Sequence, residues 1–408
     1  MSPDGGSFGG ALLRLGTRAF TADPRRALAA RLGSPPLVEA EQIAAMPVTL
    51  SPAYPARLAA LCRLLDAALR GIVARYFEDA RIRAVYALPP TLEAMLLLAA
   101  DRPYRIGCSR PDFVYDEAGQ PRLCEIGARY PLNGWMLSAE AAAVLGREGQ
   151  TSPGPFLDDL CAGYRPGETV AMVHAGEAGT EIFLFAAALR ARGIGFLQAR
   201  PEALNVVDGR LHAGAVRIDH AILEMDRSEL TKISAGVLAW LVASGAYFND
   251  IRTLILVHDK RTLALLWDEA VMRNILPEAD AAALRAFLIP SHVIYDAAGC
   301  DALLARTEDM IAKRSSGVRG VDALVRTVCG EAAWRDRVRS DWARDMYQLY
   351  VPQRGFHVPG EARPIHLVGM QLCRDGISYG AGVFRGSDAK VINVHGERGR
   401  VYLPLLGA

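Results

Sequence analysis

Residues 110–134 read RPDFVYDEAGQPRLCEIGARYPLNG. Two β-prone runs, 112–116 and 121–126, flank Glu117-Ala-Gly-Gln120, a four-residue loop containing glycine, and together they predict a β-hairpin. With that loop, residue 116 pairs with 121, and counting outward sets Asp112 opposite Glu125. Facing side chains on neighbouring strands sit ~4.5–5.5 Å apart at Cβ, so two carboxylates there repel unless solvent or a cation intervenes. Magnesium takes hard oxygen ligands, commonly one or two carboxylates plus substrate phosphates. Arg110 shares the face of Asp112 by strand alternation, and Arg129 lies shortly after Glu125. Carboxylates for a metal beside guanidinium groups for phosphate oxygens make a nucleoside-triphosphate site chemically coherent. The same residues also suit a solvated pair and surface salt bridges.

The rest of the chain bounds the options. Its 408 residues suit two or three packed domains, and its composition, 51% hydrophobic and 22% charged, is that of a folded protein. A net charge of +1 argues against a strongly basic nucleic-acid binder. No apolar run approaches the ~20 residues needed to cross a bilayer, and the first residues lack a basic start followed by an apolar stretch. The seven cysteines are scattered without a CxxC pair, so reduced thiols and a cytoplasmic location are expected. Lysine occurs only at 232, 260, 313 and 390, which draws attention to each as a place where a compact, flexible ammonium is wanted over arginine.

Leu58 to Tyr76 has the three- and four-residue apolar spacing of an amphipathic helix, and Thr91 is placed to cap a second helix after Pro89-Pro90. A Pro/Gly-rich stretch over 151–168 reads as a domain boundary. Beyond it, Thr169 to His174, Thr180 to Arg192 and Ile194 to Ala199 form a strand–helix–strand pattern, a Rossmann-like unit without a GxGxxG fingerprint. Asp208-Gly209 signals a tight hairpin turn. A helix with Asp259 as its cap follows, then a strand ending at Lys313 and a helix from about Asp322. Closing strands are expected over 346–351, 364–373, 379–384 and 391–394. Glu224 and Arg227, at the end of a central strand, stand where ligands of α/β sheets bind, though surface charge reads equally well there. The segment AKRSSGVRG at 312–320 has its lysine before the glycines, which excludes a P-loop.

The order of these features resembles the circularly permuted ATP-grasp ligases, the group that includes glutathionylspermidine synthase, over about residues 105–400. In that family an R-x-D, a hairpin and an E-x-N precede the lysine-bearing lid. The resemblance makes Asp112 and Glu125 ligands of Mg2+, and Lys260 in VHDKRTLALLW and Lys313 the lysines that bind ATP. It makes Ser315, Ser316 and Gly317 the phosphate cover, Gln348 a neighbour of the nucleotide base, and Leu349, Tyr350 and Val351 the backbone that meets adenine. It suggests Arg385 as a phosphate or substrate contact and Asn393 as a polar partner. With an ATP site in view, the positions of Arg110, Arg129, Glu224 and Arg227 make Arg110 the expected stabiliser of the transferring phosphoryl group and the other three expected contacts of substrate. One position departs from the pattern: Gly127 stands where the family has a metal-ligating Asn, with Asn133 or a water as the substitute.

The implied fold is α/β (α+β), a circularly permuted ATP-grasp architecture with a Rossmann-like domain. Its parts are a helical region plus the metal-binding hairpin over 1–165, the Rossmann-like domain over 166–257, and the lid and C-terminal core over 258–408. The implied activity is ATP-dependent joining of a small carboxylate to an amine through an acyl phosphate, with ATP and Mg2+ as cofactors. Alternatives are loading of an amino acid onto a carrier-protein thiol, and a non-catalytic ATP sensor whose metal site is eroded at Gly127. Nucleic acid and membrane are not expected as partners.

Overall fold

Strands rich in β-branched and aromatic residues gather around His366–Arg374, which is buried along nearly its whole length. A computed structural model describes residues 10–16, 19–20, 23–34, 36–146, 156–176, 181–316, 323–392 and 399–407. Gly317 and Asn393 lie outside the described residues. The chain is a mixed α/β fold with several sheets. The central sheet has six strands in the order Arg400–Tyr402, Phe384–Ser387, His366–Arg374, Cys108–Tyr115, Pro121–Gly127, with Ile377–Ala381 also pairing the long strand. Every one of these pairings is antiparallel. Chain segments some 250 residues apart in sequence therefore share one sheet, and the helix Tyr54–Ala74 lies against it.

A four-stranded antiparallel sheet, in the order Ser291–His292, Asp345–Leu349, Met310–Arg314, Leu324–Val325, carries Lys313. It docks on the central hairpin beside a Leu123–Leu288 bridge and an amide of Leu123 bonded to the Phe287 carbonyl. A third sheet is parallel: His220–Leu223, Thr169–Val173 and Gly195–Ala199, with the helix Ile182–Arg190 in the crossover. This is the strand–helix–strand unit the sequence predicts. The Asp208-Gly209 turn also forms, both residues at positive φ, as a two-residue primed turn requires.

Several local expectations shift. The second helix begins at Pro90, one residue before Thr91, because proline suits the first helical position. Asp259 caps no long helix: a π-helical turn at Thr253–Val257 breaks at His258 before Thr262–Trp267 resumes. The helix expected from 322 is two pieces, Arg326–Cys329 and Glu331–Asp341, parted by Gly330 at positive φ. Residues 379–384 divide between two strands, and 391–392 are not strand.

The hairpin register carries the main lesson. Tyr115 pairs with Pro121, one step from the expected 116–121 pairing, yet Asp112 does face Glu125. A bulge at Cys124 restores the count, because an extra residue on one strand shifts everything beyond it by one.

Candidate functional site

The bulge builds the site. Cys124 has no cross-strand partner, and its carbonyl accepts a hydrogen bond from Lys313 Nζ at 2.8 Å. The same ammonium donates to Gln348 Oε1 at 2.8 Å. Gln348 is oriented from behind, its Nε2 donating to Ser291 Oγ at 2.9 Å, and Ser291 Oγ donating to the Ile289 carbonyl at 2.8 Å. That chain fixes which end of the amide meets the lysine. The third N–H of Lys313 has no partner among the described residues, and burial depresses the pKa of its ammonium. A buried ammonium with a donor to spare is suited to an anion.

Around Lys313 the predicted residues converge. Arg110 grips Asp112 in a two-pronged pair, Nε to Oδ1 at 2.8 Å and Nη2 to Oδ2 at 3.0 Å, and Arg385 Nη2 reaches the same Oδ2 at 2.5 Å. Across the hairpin Glu125 pairs with Lys260 at 2.9 Å. Burial alone would raise the Glu125 carboxyl, but the Lys260 ammonium, with lesser help from the residues at 258 and 313, holds it well below the usual carboxylate range. Arg385 Nε is buried without a partner among the described residues. Four cations, Arg110, Arg385, Lys260 and Lys313, thus surround two carboxylates, and the local field favours a ligand of negative charge.

Arg110 is held in turn. Its Nη1 donates to the Asn133 carbonyl at 3.2 Å, next to Gly134, where a Cβ would meet Met370 Sδ at 2.8 Å and Arg110 Cδ at 2.9 Å. Gly134 also sits at φ +88°, just before the helix Trp135–Leu145. The buried Glu181 carboxylate accepts from the amides of Gly134 and Leu137 at that helix start. Asn249 straps the other end of the Arg110 strand, bonding both the amide and the carbonyl of Cys108.

A divalent cation fits this donor set poorly. Both oxygens of Asp112 are taken by guanidinium groups, Glu125 is paired with Lys260, and Gly127 offers no side chain. Among the described residues no group of three His, Cys, Asp or Glu side chains stands together. At Gly127 itself a Cβ would meet only ordinary contacts, the nearest being the Arg110 carbonyl at 3.5 Å.

The other expected residues are more dispersed. Leu349 and Tyr350 spend their amides on the Pro290 and Asp309 carbonyls; Val351 follows them outside the strand. Arg129 lies over the Tyr130 ring at 4.5 Å, and Glu224 is buried at the end of its parallel strand. Arg227 pairs with Asp259 and donates to Ser315 Oγ at 3.2 Å, while Ser316 lines the same cleft. Sequence reasoning missed His258, whose Nδ1 accepts from the Ala128 amide at 3.4 Å and whose Nε2 is buried without a partner among the described residues. Burial lowers its pKa to about 4, with Lys260 adding to the effect. Its signal was its place two residues before Lys260.

The comparisons with known proteins are sparse. The family described as AnkG N-terminal domain matches residues 61–256, just under half the chain. No curated protein matches the sequence. Among solved structures the chain is similar to D-alanyl-alanine synthetase A from Vibrio cholerae O1 biovar eltor, at 8% identity and a TM-score of 0.32, covering 60% of this chain and 89% of that one. Among the described residues no helix is long and apolar enough to cross a membrane.

Proposed function

We propose that this protein is an ATP-dependent carboxylate–amine ligase of the ATP-grasp kind. The observation that carries the reading is the gathering, where two antiparallel sheets meet, of three adjacent bonded groups: Arg110–Asp112–Arg385, Lys260–Glu125 and Lys313–Gln348. Four cations against two carboxylates leave a positive surplus that suits a phosphate chain, and Arg385 and Lys313 each keep a donor for it.

In this reading the substrate carboxylate oxygen attacks the γ-phosphorus, and the bond from that phosphorus to the β–γ bridging oxygen breaks. ADP leaves with the electron pair. Arg110 and Lys313 stabilise charge on the transferring group, an effect strengthened away from bulk water. The amine nitrogen then attacks the acyl carbon, the carbon–oxygen bond to phosphate breaks, and a proton is released with inorganic phosphate.

A second reading, an ATP-binding sensor without turnover, is favoured by the saturation of Asp112 and the missing side chain at 127. One assay separates the two. ADP release is measured against pooled carboxylates with hydroxylamine as the trapping amine. Hydroxamate formation with ADP supports the ligase; ATP binding without ADP in any pool supports the sensor.

A further inference from the structure

A separate cleft of about 480 Å³ has neither Lys260 nor Lys313 in its described lining. The cations in that described lining are all arginines: Arg227, Arg261, Arg314 and Arg344. The tripeptide Asp259-Lys260-Arg261 divides the two regions. Lys260 turns to Glu125, whereas Asp259 and Arg261 pair with one another and with Arg227 on the cleft side. The cleft shares no cation with the Lys313 cluster.

Its arginines line the cleft, whereas the carboxylates that hold them are not in its described lining. Arg227 and Arg261 share the single carboxylate of Asp259; Arg314 and Arg344 share that of Asp341, and Arg314 adds Asp345. The acid in the described lining, Asp226, is spent on the amide and hydroxyl of Ser228. Hydroxyls of Thr231, Ser315 and Ser316 stand among the guanidinium groups, and Leu88, Pro89 and Leu92 form an apolar wall. Next to that wall Ala87 is held at φ 39°, a left-handed conformation unfavourable for a residue with a Cβ. Small-molecule sites commonly pair a few convergent polar groups with an apolar wall in a volume of this size.

We propose that the cleft binds a small molecule by a phosphate or carboxylate at its arginine end, with an apolar portion along Leu88, Pro89 and Leu92. The inference does not depend on the ligase reading, since none of the cations that carry that reading is in the cleft's described lining. Isothermal titration with hexyl phosphate, hexanoate and hexanol, in the absence of ATP, tests it. At least one of the two anions should bind about tenfold or more tighter than hexanol, and which one it is tells phosphate from carboxylate. Arg344→Ala, at an exposed side chain, should weaken that anion about three- to tenfold without changing thermal stability, and Arg227→Gln should weaken it further. Lys313→Ala should leave it unchanged. Equal affinity for hexanol and both anions, no anion binding, indifference to both arginine variants, or loss in Lys313→Ala would each overturn the proposal.

Discussion

Two buried aspartates in this protein are clamped alike, and their surroundings differ. Asp112 is held by Arg110 two residues before it and by Arg385 from another strand; Asp259 is held by Arg261 two residues after it and by Arg227 from a short 3₁₀ turn. Both side chains are all but inaccessible, at 2% and 0% exposure. At Asp112 the clamp faces Lys313, with a donor in reserve, and an opposed Glu125. At Asp259 it faces a cleft lined by arginines and hydroxyls. An Asp–Arg–Arg clamp is a way of holding guanidinium groups in fixed directions, and what lies in front of them decides the ligand.

The comparison can be broken by removing each acid. Asp259→Ala strands two buried guanidinium groups and should cost about 3–5 kcal/mol, read by urea unfolding. Asp112→Ala should cost a similar amount, and pyrophosphate should recover part of that loss, because the freed cations face the proposed phosphate site. No recovery of Asp112→Ala by pyrophosphate would count against an anion site in front of that clamp.

Next in size is catalysis. Lys313→Ala should lower ADP release by about 10²-fold or more, as loss of one fixed donor does elsewhere, with thermal stability nearly unchanged. The lysine makes two hydrogen bonds to internal acceptors, so a small stability loss is consistent; wild-type turnover is not.

His258 supplies a pH-dependent difference. Its folded pKa, about 4 from an ordinary 6.5, means the unfolded chain binds the extra proton between those values. Stability from this group is therefore full above pH 6.5 and falls as pH drops toward 4, by about 3 kcal/mol in total. Glu125, with its depressed pKa, adds a loss only below the ordinary carboxylate range. His258→Asn should flatten the higher window and leave the lower one. Parallel profiles in that variant and the wild type would remove His258 as the cause. The smallest effect belongs to Arg344→Ala, within about 0.5 kcal/mol of wild type in stability, since its side chain is 68% exposed.

How much of this was legible in the sequence follows from where the information sits. The Asp208-Gly209 hairpin and the parallel strand–helix–strand unit could be read because turn chemistry and periodicity are local. The face-to-face placement of Asp112 and Glu125 could be read as well, although the counting missed a bulge that no residue type announces. What could not be read is long-range. Arg385 reaches Asp112 across a strand inserted from far along the chain, and Ser291 fixes Gln348 through a sheet pairing. The division of Asp259-Lys260-Arg261 between two regions depends on the irregular turn between Val257 and Thr262, where the sequence reading placed Asp259 as the cap of one helix. The carboxylates were visible; that arginines saturate one of them was not.

The central claim is that the Lys313 cluster is a nucleotide site. Isothermal titration of ATP into the wild type and into Lys313→Ala tests it most directly. The account predicts saturable binding to the wild type and a loss of about 30-fold or more in the variant. Equal affinity in the two proteins, or no binding to the wild type, would contradict it.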